Sequence, residues 1–159
     1  MGPVTRTLAL LRHAKSAWPE GVADLERPLG ERGLRDAPVA GRWLAENLPG
    51  LQFVACSTAV RARQTWELAS AELPGQPDVR HFAKIYYGPL VEVVRDLPAQ
   101  VGSALLVGHN PDMEDLAEFL TGDQVVFKTS TLAVLRSDLP WTDAGQGWGE
   151  LVTTVTPRG

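Results

Sequence analysis

Three runs of consecutive apolar residues, Leu8 to Leu11, Phe53 to Cys56 and Ala104 to Val107, punctuate a chain whose other apolar positions recur every three or four residues. Short apolar runs bounded by polar or turn residues mark strands buried on both faces, and the helical recurrence between them marks the helices that cover those faces. The pattern predicts an α/β fold, a three-layer α/β/α sandwich around a mainly parallel sheet. Two later runs, Leu132 to Leu135 and Leu151 to Val155, are joined by a loop from Pro140 to Gly149, which predicts an antiparallel edge pair.

The intervening segments give the helices. A stretch rich in Trp, Pro and Gly from Ser16 to Gly33 precedes Leu34, Ala37, Gly41, Leu44, Ala45 and Leu48, an inward helical face that Pro38 should kink or delay. A second helix follows Cys56, with Ser57 or Thr58 as its cap and Ala62, Trp66, Ala69 and Leu73 facing inward, and the sequence Pro74-Gly75-Gln76-Pro77 ends it. Asp78 to Tyr87 is expected to hold a strand. Gly88-Pro89 then opens a short helix with Leu90, Val93, Val94 and Leu97 inward, closed by Pro98. Asn110 and Pro111 make a cap and first-turn pair for a helix carrying Met113, Leu116, Ala117 and Leu120, which Gly122 ends. No repeat or linker divides the chain, so residues 1–159 are expected to form a single domain.

Composition narrows the function. With 159 residues and 44% apolar content the chain can bury a core without disulfides, and its single cysteine, Cys56, cannot make one internally. The opening Met1 to Arg6 lacks the layout of a signal peptide, and no apolar run approaches the roughly 20 residues that span a bilayer. A cytoplasmic protein without membrane attachment is expected. A net charge of -4 argues against a nucleic-acid binder, so any anion site must be local.

Arg12 and His13 fall at the C-terminal end of the first buried strand and His109 just beyond the end of another, the edge where ligands bind in α/β sheets. Arg61 and Arg63 lie in the first turns of the helix after Cys56, at the same edge. A cation is unfavourable at the positive end of a helix dipole unless an anion is close, and a guanidinium fork suits phosphate oxygens. Two residues apart, only one of them can point into the site, and Arg61 is the choice.

These residues carry a family resemblance. Leu11-Arg12-His13-Ala14 resembles the Arg-His-Gly signature of the histidine phosphatase superfamily, Ser57 to Thr65 (STAVRARQT) resembles its second motif, and Val107-Gly108-His109-Asn110-Pro111 resembles its third, in the same order. Ala14 stands where the signature has Gly. The segment Asp24 to Gly33 (DLERPLGERG) is most similar to the SixA-type phosphohistidine phosphatases, and the resemblance extends over roughly Thr7 to Leu135. It implies a phosphoglycerate mutase-like fold and a phosphatase in which His13 attacks phosphorus and Arg12, Arg61 and His109 hold the oxygens, with no metal and no cofactor. The attacking imidazole must be neutral, one nitrogen presenting its lone pair while the other donates to a backbone carbonyl.

The leaving group also needs a proton. Asp24 is the preferred donor, in a loop beside the first motif, with Glu92 as the carboxylate that the resemblance to larger members would favour; Asp24 could instead pair with Arg27 or cap a turn. An N–P bond relaxes this requirement, because a phosphoramidate leaves readily once its nitrogen is protonated. Lys15, Ser16, Arg27 and Asn110 are candidate substrate contacts, Lys15 and Ser16 being equally readable as loop residues. Tyr86, Tyr87 and Trp18 could line the mouth or simply pack. The expected partner is a phosphorylated signalling protein or, failing that, a small phosphoester, with the enzyme a monomer.

Rival chemistries fit less well. A cysteine-dependent phosphatase needs an arginine six positions after Cys56, where Ala62 stands. A zinc site would need His13, His81 and His109 to converge without a pair at helical spacing. A phosphate-binding module without turnover would have no need of both histidines.

Overall fold

The computed structural model describes residues 5–159; the reading of the first four residues as lacking an export signal lies outside them. Six strands form one sheet: β1 (Arg6–Arg12), β2 (Phe53–Ser57), β3 (Asp78–Phe82), β4 (Ser103–Gly108), β5 (Leu132–Ser137) and β6 (Glu150–Val155), in the order β3-β2-β4-β1-β5-β6. The first four in that order run parallel, and β5 and β6 are antiparallel to their neighbours. This is the mainly parallel sheet with an antiparallel edge that the apolar runs predict.

Helices α1 (Glu31–Asn47) and α2 (Val60–Ser70) cover one face, while α3 (Ala83–Tyr87), α4 (Leu90–Arg95) and α5 (Asp112–Thr121) cover the other. The strands divide between two cores with period two. Leu8, Leu10, Phe53, Ala55, Ala104 and Leu106 face α4 and α5, whereas Ala9, Leu11, Val54, Cys56, Leu105 and Val107 face α1 and α2. Both faces being covered is why these strands read as unbroken apolar runs. Among the described residues no helix is long and apolar enough to cross a membrane.

Several boundaries depart from the sequence expectations. Helix α1 begins at Glu31, ahead of Pro38, which lies inside it. Its buried stripe is Gly33, Ala37, Ala40, Gly41 and Leu44, while Leu34 is exposed. The small residues decide this face because α1 lies close against α2: a Cβ on Gly41 would stand 2.2 Å from the Ala69 carbonyl oxygen. Neither Ser57 nor Thr58 caps α2; the cap position is Ala59, and Ser57 still belongs to β2. The strand expected over Asp78 to Tyr87 stops at Phe82, where α3 begins and buries Ile85 in the core. Pro111, not Asn110, sits at the cap of α5; the Asn110 amide donates to the Phe127 carbonyl at 2.9 Å, and its Oδ1 makes no cap bond. Gly122 ends α5 in the left-handed region at φ 81°, a conformation that glycine adopts without penalty.

Candidate active site

The parallel strands end together. Arg12 on β1 is in register with Gly108 on β4, and Cys56 on β2 with Val107, so Ser57, His13 and His109 all leave the sheet at one edge. The His13 backbone N–H donates to the Gly108 carbonyl at 3.0 Å, which ties the two motifs directly. The rings of His13 and His109 then stand 5.2 Å apart, centroid to centroid.

His13 is buried, and its Nδ1 lies 2.7 Å from the Ala14 carbonyl oxygen. A carbonyl can only accept, so Nδ1 carries the hydrogen and Nε2 presents its lone pair. Ala14 is itself fixed, its N–H donating to Thr65 Oγ1 at 3.0 Å while that hydroxyl donates to the Arg61 carbonyl at 2.7 Å. Burial pushes the His13 pKa down to about 3, and the nearby charge of Arg61 and Arg12 acts in the same direction. Burial likewise lowers His109 to about 4, with Arg61 the next cause. Both imidazoles are therefore neutral near pH 7.

That state is measurable. Because the charged forms are disfavoured, the ring-proton NMR shifts of His13 and His109 are expected to stay flat as pH falls from 8 to 5, whereas an unperturbed histidine titrates near 6.5. A titration of either ring centred near 6.5 would contradict the buried, neutral pair.

Arg12 donates from Nη1 to the Phe127 carbonyl at 2.8 Å, the oxygen that also receives Asn110. The Phe127 N–H donates to Glu114 Oε2 at 2.8 Å, so a carboxylate on α5 fixes the backbone that orients Arg12. Arg61 is buried in the first turn of α2 and donates through Nη1 to the Asp24 carbonyl at 2.7 Å and through Nη2 to Asp24 Oδ2 at 3.0 Å. Arg63 is exposed, so of the two arginines it is Arg61 that turns inward. Arg12 Nε, Arg61 Nε, His109 Nδ1 and Asn110 Oδ1 are buried without a protein partner. Buried polar atoms normally find partners. Three of these four are nitrogens on cationic or donor side chains, the complement of an anion.

Asp24 lies in a single 3-10 turn (Asp24–Glu26) at the mouth. Its carboxylate accepts from Tyr86 Oη at 2.6 Å, Arg61 Nη2 at 3.0 Å and Arg27 Nε at 2.9 Å. The Tyr86 hydrogen bond, with the two guanidinium groups behind it, holds this carboxyl far below the usual range. As an ionised acceptor of three hydrogen bonds Asp24 anchors Arg61 and Arg27, the pairing with Arg27 being the alternative role that the sequence offered. Glu92 lies on α4 in an exposed pair with Lys84 at 3.1 Å.

The other sequence candidates separate in kind. Ser16 and Arg27 are both buried and bonded to each other at 2.7 Å, and the Arg27 guanidinium lies 3.4 Å from the centroid of the exposed Trp18 ring. Lys15 is exposed; its carbonyl accepts the Gly30 N–H, and a Cβ on Gly33 would stand 2.2 Å from that oxygen. Cys56 is buried against α1 and α2 with its thiol pushed up to about 12 by burial, which leaves it protonated. His81 lies exposed on the edge strand β3. Besides Glu114, Ser57 and Tyr86 escaped the sequence reading in their roles at the site. Ser57, read as a cap, places Oγ 2.7 Å from His109 Nε2, and Tyr86, read only as lining the mouth or packing, both bonds Asp24 and stands edge-on to His109 at 5.5 Å.

Comparison with known proteins gives a consistent result. The model of the histidine phosphatase superfamily (branch 1) matches residues 8–88. The chain is 40% identical to the uncharacterized protein Rv1276c of Mycobacterium tuberculosis over 162 residues, which cover 93% of this chain and all of that one. A candidate phosphohistidine phosphatase SixA from Nakamurella multipartitia superposes with a TM-score of 0.87 at 32% identity, over 98% of each chain. Its counterpart from Agrobacterium tumefaciens gives 0.79 at 30% identity over 99% of each.

Proposed function

Because the chain belongs to branch 1 of the histidine phosphatase superfamily, we propose that it is a phosphatase whose His13 takes the phosphoryl group covalently, with phosphohistidine on a signalling protein as its substrate. The observation that supports this most is the state of His13: buried, neutral, its Nδ1 hydrogen committed to the Ala14 carbonyl and its Nε2 lone pair left for attack.

In the first step Nε2 bonds to phosphorus as the bond to the leaving nitrogen breaks, its electron pair returning to that nitrogen. Arg12, Arg61 and His109 offset the charge on the phosphoryl oxygens, each such donor being worth about 2 to 4 kcal/mol in comparable sites. Water then attacks phosphorus, the P–Nε2 bond breaks with its pair returning to the ring, and the water's proton is lost to solvent. The charge is supplied by side chains already at the sheet edge, so the reaction as written calls on no metal.

The state of the carboxylates supports this choice of substrate class. Asp24, ionised under three donors, holds no proton for a leaving alkoxide, and Glu92 is paired with Lys84 on the surface. A phosphoramidate nitrogen collects its proton from solvent before or during departure, so the site suits an N–P bond better than an ester. A phosphorylated protein acted on by a cytoplasmic monomer, without nucleic acid or membrane, is part of the same proposal. In the presence of EDTA, kcat/KM for a phosphohistidine peptide is expected to exceed that for small alkyl phosphate esters, whose alkoxide must be protonated to leave, by about 100-fold or more, the scale on which a missing acid acts. A preference for the small esters would transfer the reading to a phosphomonoesterase, and no turnover of either would refute catalysis.

A further inference from the structure

We infer that Ser57 is a positioning residue that fixes the tautomer of His109 with hydrogen on Nδ1, so that the two histidines of the site carry opposite roles, one a lone pair and the other a donor. The inference rests on the phosphatase reading for its consequence, but its own content is a property of the ligand-free protein.

Hydrogen-bond capacity decides the tautomer. Ser57 is wholly buried at the end of β2, and its Oγ accepts the Ala59 N–H at 3.1 Å. Among the described residues its one other partner is His109 Nε2, at 2.7 Å. A hydroxyl has a single proton, and here the single acceptor within its reach is that ring nitrogen. Were Nε2 protonated instead, Oγ would accept twice and its own proton would be buried with no acceptor, an arrangement that folded proteins avoid. Ser57 therefore donates to Nε2, and the hydrogen of the neutral ring sits on Nδ1.

Nδ1 is the nitrogen of His109 that is buried without a protein partner. With hydrogen there it can donate to a phosphoryl oxygen; with a lone pair there it would meet that oxygen as one acceptor meets another and weaken binding. The ring is also held in place, with the Tyr86 ring edge-on at 89° on one side and His13 at 5.2 Å. His13 reaches its tautomer through a backbone carbonyl and His109 through a side-chain hydroxyl. A neutral donor pays less for desolvation than a charged one, consistent with burial holding His109 down to about 4.

The test is a long-range 1H–15N correlation spectrum of the full-length, 15N-labelled protein without substrate, which separates protonated from unprotonated ring nitrogens. The wild type is expected to show His109 with Nδ1 protonated. Ser57→Ala is expected to shift His109 toward the other tautomer and to lower kcat/KM for a phosphohistidine peptide about tenfold to a hundredfold. Ser57→Thr keeps the hydroxyl and is expected to restore both. A wild-type ring protonated on Nε2, or a Ser57→Ala protein whose His109 tautomer is unchanged, overturns the inference. If Ser57→Ala does not fold, the wild-type spectrum alone decides it. Since the tautomer is read without turnover, an inactive wild type would refute the phosphatase reading and still leave this question answered by the spectrum.

Discussion

His13→Ala is expected to lower phosphate release from a phosphohistidine peptide by about four to six orders of magnitude, the loss seen when a covalent nucleophile is removed from a site that otherwise stays intact. The substitution is well placed for a clean result. The ring makes one hydrogen bond, to the carbonyl of its own neighbour Ala14, so its removal breaks no long-range tie, and the backbone bond from His13 N–H to Gly108 is untouched. Stopped assays on protein with an unchanged thermal transition measure the effect. A residual rate within tenfold of wild type would move the nucleophile elsewhere.

Arg61→Ala is expected to cost about 10^2 to 10^3 in kcat/KM, since it removes from a buried position the charged donor proposed to hold the phosphoryl oxygens. Arg61→Lys should recover little of this, because a single ammonium cannot reproduce the two parallel donors that now meet the carbonyl and the carboxylate of Asp24. Asp24→Asn is the informative contrast. If Asp24 anchors Arg61 and does not deliver a proton, the amide should cost no more than about tenfold on a phosphohistidine peptide, because the bond from Arg61 Nη1 to the Asp24 backbone carbonyl survives. A loss for Asp24→Asn far larger on an alkyl phosphate than on the phosphohistidine peptide would restore Asp24 to the role of acid.

The strands and the candidate residues at their ends were legible in the sequence for the same physical reason. A parallel sheet covered on both faces demands unbroken apolar runs, and the residue that follows each run falls at one edge, which is how Arg12, His13 and His109 could be placed together before any coordinates. Helix faces were less legible. Leu34 looks inward by periodicity, yet α1 approaches α2 so closely at Gly41 that small residues take the buried stripe. Caps were misread at Ser57, which still lies in β2 with its hydroxyl on His109, and at Asn110, whose amide turns to the Phe127 carbonyl while Pro111 takes the cap position. The state of Asp24 lay outside what spacing can give, because its partners Arg61 and Tyr86 come from two other elements, 37 and 62 residues on. The same holds for Glu114, whose bond to Phe127 steadies Arg12 from a helix that sequence marks only by its apolar stripe.

The central claim is the covalent step at His13, and rapid quenching of the wild-type protein with a phosphohistidine peptide, followed by peptide mapping under alkaline conditions, tests it most directly. The account predicts a phosphoryl group on His13 within the first turnover, stable to base, lost in acid and absent from His13→Ala. Turnover with His13 unmodified at every quench time, or a phosphoryl group found on another residue, would contradict it.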